Sequence, residues 1–138
     1  MNWNRFLIAG IAAAIVARVI SWVWHVPLLG EFYGQQESAV ARPEAVMATI
    51  LVADLVRGYV LAFIYPFGYK GGAPWMEGLR FGVLLGVFAC AGALIAASVY
   101  NFESLSWFGA QAIFLIIQQA VAGIVIGYVY GTQGSKAG

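Results

Sequence analysis

The 138 residues of this chain are 62% hydrophobic and only 9% charged, with a formal net charge of +1. An ordinary soluble domain is about 25% charged, so the polar surface needed to face water on all sides is missing. With no basic cluster to neutralise phosphates, the charge balance argues against a nucleic-acid partner, and the single cysteine, Cys90, excludes an internal disulfide and supplies no metal-ligand spacing.

The apolar runs predict an all-α membrane protein, a single-domain bundle of four spanning helices at about 6–29, 44–66, 78–100 and 107–130. Its first partner is therefore the lipid bilayer. The first run follows Arg5 and passes Val16-Ala17, as a cleaved leader would, but its apolar character continues past Arg18 to Leu29. A retained span is the expectation. Ala9, Gly10, Ala12, Ala13, Ala14 and Ala17 make its first half slim enough for close helix contact. Trp22 and Trp24 belong near the far interface, where amphipathic rings are favoured, and Pro27 with Gly30 is expected to end the helix.

Residues 31–43 form a polar connection holding Glu37, Ser38 and Arg42, compatible with a short interfacial helix edged by Phe32 and Tyr33. The second span runs from Glu44 to Pro66. The stretch from Phe67 to Glu77, punctuated by Gly68, Gly71, Gly72 and Pro74, reads as a turn. In the third span Gly78, Gly82 and Gly86 recur every four residues, and Ala89, Ala93 and Ala97 continue the row. A loop with Glu103 leads to the fourth span, where Gly123, Gly127 and Gly131 repeat the spacing, and residues 132–138 form a tail. These small-residue rows predict contact faces, used either between the third and fourth spans or toward a second copy or another subunit. Arg5, Lys70, Arg80 and Lys136 fall on one side of the membrane and Arg42 alone on the other, so both termini are expected in the cytoplasm.

Charges inside the spans are the lead to function. A charge at the centre of a membrane helix costs roughly 2.5–3.5 kcal/mol on insertion scales, so it calls for a partner or a task. At about 1.5 Å per residue, Arg18 lies roughly 18 Å from the cytoplasmic boundary, Asp54 roughly 15 Å and Arg57 roughly 10 Å. Gln118 and Gln119 of the fourth span and Cys90 of the third come to a similar level. Arg18 and Arg57 can both reach Asp54, Arg57 from one helical turn away. Two guanidinium groups against one carboxylate leave positive charge for an anionic ligand. The structural alternative is a buried network that fixes helix register, with the second Arg held by Gln118, backbone carbonyls or a lipid headgroup. Ser21 and His25 share the face of Arg18 and extend the polar set toward one end of the first span. His25 as a hydrogen-bonded structural residue is the simpler expectation, since bis-His haem ligation needs a second membrane His. Cys90 reads as a packing residue.

No nucleophile–base set, HExxH element, phosphate loop or carboxylate pair at matching depth occurs, so neither catalysis nor a cofactor or metal is expected. Glu31, Glu37 and Glu44 near His25 have no metal-ligand spacing.

The string Ser21-Trp22-Val23-Trp24-His25-Val26-Pro27-Leu28-Leu29-Gly30 resembles the end of the first span in a family of small, uncharacterised bacterial four-span membrane proteins. Here His25 stands at an aromatic position, and Glu31-Phe32-Tyr33 replaces a basic and Trp element. Gly78-Leu79-Arg80-Phe81-Gly82 and the glycine-rich fourth span are similar in placement. The resemblance implies the four-helix topology and a bacterial inner membrane, and nothing about chemistry.

Two functions follow as expectations. An accessory or assembly subunit, self-associating as a homo-oligomer or joining a larger membrane complex, is favoured by small size, short loops and glycine faces. The alternative is a small transporter or channel passing an anion or polar solute by the Arg18, Asp54, Arg57 and Gln118 layer.

Overall fold

The computed structural model describes residues 2–37, 46–99 and 105–131. Among these residues every regular element is a helix: α1 (Trp3–Val23), a π-helical turn (Trp24–Leu28), α2 (Gly30–Glu37), α3 (Met47–Gly68), α4 (Pro74–Val99) and α5 (Leu105–Tyr130). Four helices, Trp3–Leu28, Met47–Gly68, Pro74–Val99 and Leu105–Tyr130, are long and apolar enough to cross a membrane. The protein is a multi-pass membrane protein. The predicted starts and ends at Glu44 and Tyr100, the charges Arg42, Glu103 and Lys136, and the tail at 132–138 lie outside the described residues.

Local chemistry sets the helix ends. Asn2 caps α1, its side-chain oxygen accepting from the Arg5 amide at 3.2 Å. The first span ends at Leu28, where Pro27 with Gly30 is expected to end it, and its last, π-helical turn contains Pro27. The missing N–H and the ring of Pro27 are accommodated by widening the helix, so that the Leu29 amide bonds the Trp24 carbonyl across five residues at 3.0 Å. Gly30, two residues beyond that end, opens α2. The expected turn from Phe67 to Glu77 shrinks to residues 69–73. Pro66 sits late in α3, and Pro74 takes the first position of α4, where its lacking donor costs nothing. Pro66 cannot donate to the Ala62 carbonyl, and the Tyr130 hydroxyl does so instead at 2.8 Å. Gly131, at φ 61°, takes the left-handed turn that closes α5, and the Arg5 guanidinium bonds the Tyr130 carbonyl.

Packing follows membrane rules. In α1 the small residues Ala9, Ala13 and Ala17 are buried, while Ile8, Ile11, Ile15 and Val19 stay exposed for lipid. Lipid tails are as apolar as these side chains, so close backbone approach drives association rather than expulsion of water. α1 packs on both α3 and α5, α4 packs almost wholly on α5, and α3 touches α5 only weakly. α1 and α3 cross at Gly10 and Gly58; a Cβ on Gly58 would meet the Gly10 carbonyl and lie 3.0 Å from the Ala14 amide nitrogen. α4 and α5 meet along the predicted rows, Gly78 against Gly123, Gly82 against the Gln119 carbonyl, and Gly86 against Ile116. Gly127 faces the Pro74 carbonyl.

The core lies toward the end of the bundle that holds the start of α1 and the end of α5. Ala9, Ala13, Leu61, Ala62, Ala122 and Ile126 surround the buried rings of Tyr65 and Tyr130, whose centroids are 5.5 Å apart. Phe81 of α4 adds an edge-on contact to Tyr65 at 5.3 Å. Beyond this knot lies the far half of the bundle.

Candidate functional site

In the far half of the bundle α1, α3 and α5 each supply a wall of a groove of about 870 Å³. Arg18, Asp54, Arg57 and Gln118 lie at the end nearer the tyrosine core. Ser21, His25 and Gln111 line it further up, among apolar residues that include Trp22, Leu51 and Phe114.

Asp54 is 6% exposed and is shared by both arginines. Arg18 Nη1 stands 3.4 Å from Oδ2, and Arg57 Nη1 stands 3.8 Å from Oδ1. Both separations exceed the roughly 2.7–2.9 Å of a tight charge-assisted hydrogen bond, and Oδ2 has no hydrogen-bonded partner among the described residues. The carboxylate therefore holds the two cations by charge and leaves much of their donor capacity unused. Arg57 spends one donor on Gln118 Oε1 at 2.8 Å, and the Gln118 amide in turn donates to the Ala17 carbonyl at 2.9 Å. Gln118 thus ties α5 to α1 and α3 through one fully buried side chain. With two guanidiniums and one carboxylate, the base of the groove carries one net positive charge.

His25 takes part as a structural residue and as a wall. Its Nδ1 pairs with the Ser21 carbonyl at 2.9 Å. A carbonyl only accepts, so Nδ1 carries the proton and, in the neutral ring, Nε2 is an acceptor. The ring packs between Tyr33 at 4.5 Å and Phe114 at 4.6 Å.

Sequence reasoning missed the bonds that dock α2 on the bundle. Trp24 Nε1 donates to the Tyr33 hydroxyl at 3.1 Å, which donates to Gln111 Oε1 at 3.1 Å. Trp107 Nε1 reaches Glu37 Oε1 at 2.8 Å. These bonds lay α2 over the ends of α1 and α5. Burial raises the Tyr33 phenol above its ordinary value, the Trp24 bond works against that, and Glu37 adds to it. No signal in the sequence pairs these residues, because polar and aromatic side chains near an interface are ordinary.

Two residues predicted in the polar layer lie apart from the groove. Gln119 is buried, but it does not line the groove; its carbonyl lies against Gly82 of α4, and its Oε1 has no hydrogen-bond partner among the described residues. Successive residues point about 100° apart on a helix, so Gln118 and Gln119 cannot share a face. Cys90 sits between α4 and α5, 3.2 Å from the Gly86 carbonyl and 3.7 Å from that of Ala112. Gly78, Gly82, Gly86, Gly123 and Gly127 are all buried within the α4–α5 contact. Of the acidic residues near His25, Glu44 lies outside the described residues, and no three metal-ligating side chains gather among those described.

Toward the other end, Leu61, Ala62, Tyr65, Ile126 and Tyr130 are buried below the charged layer. The groove is therefore blind. Among the described residues it offers no continuous path across.

No protein-family model, curated protein or solved structure matches this chain.

Proposed function

We propose that this protein binds an anionic ligand in the groove, as the binding element of a small carrier, and that its role is binding and not catalysis. The observation that carries this reading is the Asp54 carboxylate shared by Arg18 and Arg57, which leaves one positive charge and spare guanidinium donors at the base of an accessible groove. A purely structural network is better served by one cation per carboxylate, because each extra buried charge adds a desolvation cost. A blind groove favours a site that loads and releases over an open channel.

The test is thermal unfolding of the purified protein in zwitterionic nanodiscs with a panel of soluble and lipid-like anions, each beside an uncharged analogue. A ligand of the native state raises the melting temperature by mass action. At least one anion should stabilise the protein beyond its neutral analogue, and Arg57→Gln should remove the difference while Arg57→Lys keeps part of it. If no anion of either kind outperforms its neutral analogue, the reading fails.

The accessory-subunit reading retains one supporting observation. α4 touches little but α5, and its outer residues Leu84, Phe88 and Ile95 are 71%, 78% and 65% exposed, open to lipid or to a partner helix. The glycine rows no longer count toward it, since the α4–α5 contact uses them. Native mass spectrometry of the gently extracted protein decides this, a heteromeric mass favouring a subunit.

The Lys/Arg asymmetry supports an orientation with both termini cytoplasmic in a bacterial inner membrane, which puts the open end of the groove on the outer side. A C-terminal alkaline phosphatase fusion should then be inactive, and an active fusion refutes the orientation.

A further inference from the structure

We infer that the ligand is a single-chain amphiphile with an anionic head, drawn from the bilayer itself, its head on Arg18 and Arg57 and its chain leaving the groove sideways between α1 and α3. This inference rests on the anion-site reading above and names the class of ligand.

The lining divides into two lanes. On α1, Ser21 and His25 follow Arg18 along one face, and Gln111 of α5 joins them, so a polar lane descends from the open end to the guanidiniums. Beside it, Val19, Trp22 and Val26 of α1 and Met47 and Leu51 of α3 also line the groove. These five are 54%, 57%, 57%, 56% and 47% exposed. On helices that cross a membrane, half-exposed apolar residues at that depth border lipid tails. One side of the groove is therefore made for a charged group and the other for hydrocarbon.

Size separates the candidates. A groove of about 870 Å³ falls in the roughly 300–1,000 Å³ range of sites for organic ligands. A bare oxyanion, no larger than a few waters of about 30 Å³ each, fills little of it. A hydrated ion also gains nothing from the apolar lane. An amphiphile already in the leaflet keeps its chain in hydrocarbon while its head moves down the polar lane. Charge complementarity completes the fit, since an anionic head brings the base of the groove, with its two guanidiniums and one carboxylate, to neutrality.

The test uses the full chain in zwitterionic nanodiscs and reads thermal unfolding. One sample carries a few mole per cent of hexadecyl phosphate, which as a phosphate monoester holds at least one full negative charge at neutral pH. A second carries hexadecanol, and a third millimolar inorganic phosphate. Hexadecyl phosphate should raise the melting temperature by about 5 °C, and the other two should leave it unchanged. Leu51→Trp, at an exposed position that burdens no core, should at least halve the shift by filling the lateral opening. Arg57→Gln should abolish it and Arg57→Lys restore part of it. An equal shift with inorganic phosphate that survives Leu51→Trp overturns the amphiphile and leaves the anion site standing. An equal shift with hexadecanol overturns both, because the head charge then contributes nothing. No shift with any of the three overturns the amphiphile, and the wider anion panel then decides the site.

Discussion

Replacing Asp54 by Ala is expected to destabilise the protein more than removing either arginine. Counting charges gives the asymmetry. The wild-type layer holds two cations and one anion, for a net +1; Asp54→Ala leaves +2 with no counter-charge, whereas Arg18→Gln or Arg57→Gln leaves a neutral pair. Breaking a buried ion pair by deleting one partner costs about 3–5 kcal/mol, mostly because the surviving charge is stranded. Here the side chains of Arg18 and Arg57 are 28% and 37% exposed, so they can turn partly toward a lipid headgroup, and the lower end of that range applies. Asp54→Asn keeps the shape and an acceptor oxygen and should fall between. Pairing Arg18→Gln with Asp54→Ala should recover part of the loss, because the double variant returns the layer from +2 to the wild-type net charge of +1. Equilibrium unfolding in mixed micelles, with folded yield by gel filtration as a second readout, measures all of these. Equal losses for Asp54→Ala and Arg18→Gln, or losses that simply add in the double variant, would show that the three side chains do not share one charge balance.

That layer could be read from the sequence because a charge inside an apolar run is a strong local signal and depth along a helix is simple arithmetic. Arg18, Asp54 and Gln118 stand far apart in the chain, yet counting residues from the membrane boundary brings them to one level, and the structure joins them with Arg57 through ion pairs and hydrogen bonds. Rotation about the helix axis is harder to read than depth. Spans that are apolar on every side carry no stripe to say which face turns inward, and so Gln119 and Cys90 were grouped by level with residues from which they point away.

The order of packing was hidden for the same reason. Nothing in the sequence says that α1 rather than α4 lies against both α3 and α5. It is this order that shapes the groove, since α4 stands outside and cannot fill the space that α1, α3 and α5 line. Gln111 carries no signal where it stands, and Tyr33 reads only as the apolar edge of an interfacial helix; only the folding of α2 over the bundle makes them partners. Pro27 and Gly30 mark the end of the first span at Leu28, but nothing in the sequence says that its last turn widens into a π-helix.

Gly82→Leu is expected to pull α4 away from α5. A Cβ at Gly82 would overlap the Gln119 carbonyl and lie 2.7 Å from Ala120 Cα. Both obstacles are backbone, so no rotamer change relieves them and the helices must separate. Overpacking costs about 1–3 kcal/mol where side chains can yield, and rigid backbone on the far side puts this substitution at or above about 3 kcal/mol on the same scale. α4 has little other anchorage, so the loss should appear as release of that helix before global unfolding. Gly92 provides the control: no atom comes within 4 Å of its added Cβ, so Gly92→Ala should be neutral or stabilising by up to about 1 kcal/mol through helix propensity. A disulfide reporter reads the contact directly. Cys90 Sγ lies 3.7 Å from the Ala112 carbonyl, so an Ala112→Cys background should cross-link under mild oxidant when α4 is seated, and cross-link slowly once Gly82→Leu is added. Equal cross-linking rates with unchanged unfolding would mean that the two glycine rows do not meet in this register. The groove would remain, since α1, α3 and α5 alone line it, which is why the α4–α5 seam and the anionic-ligand site can be tested independently of each other.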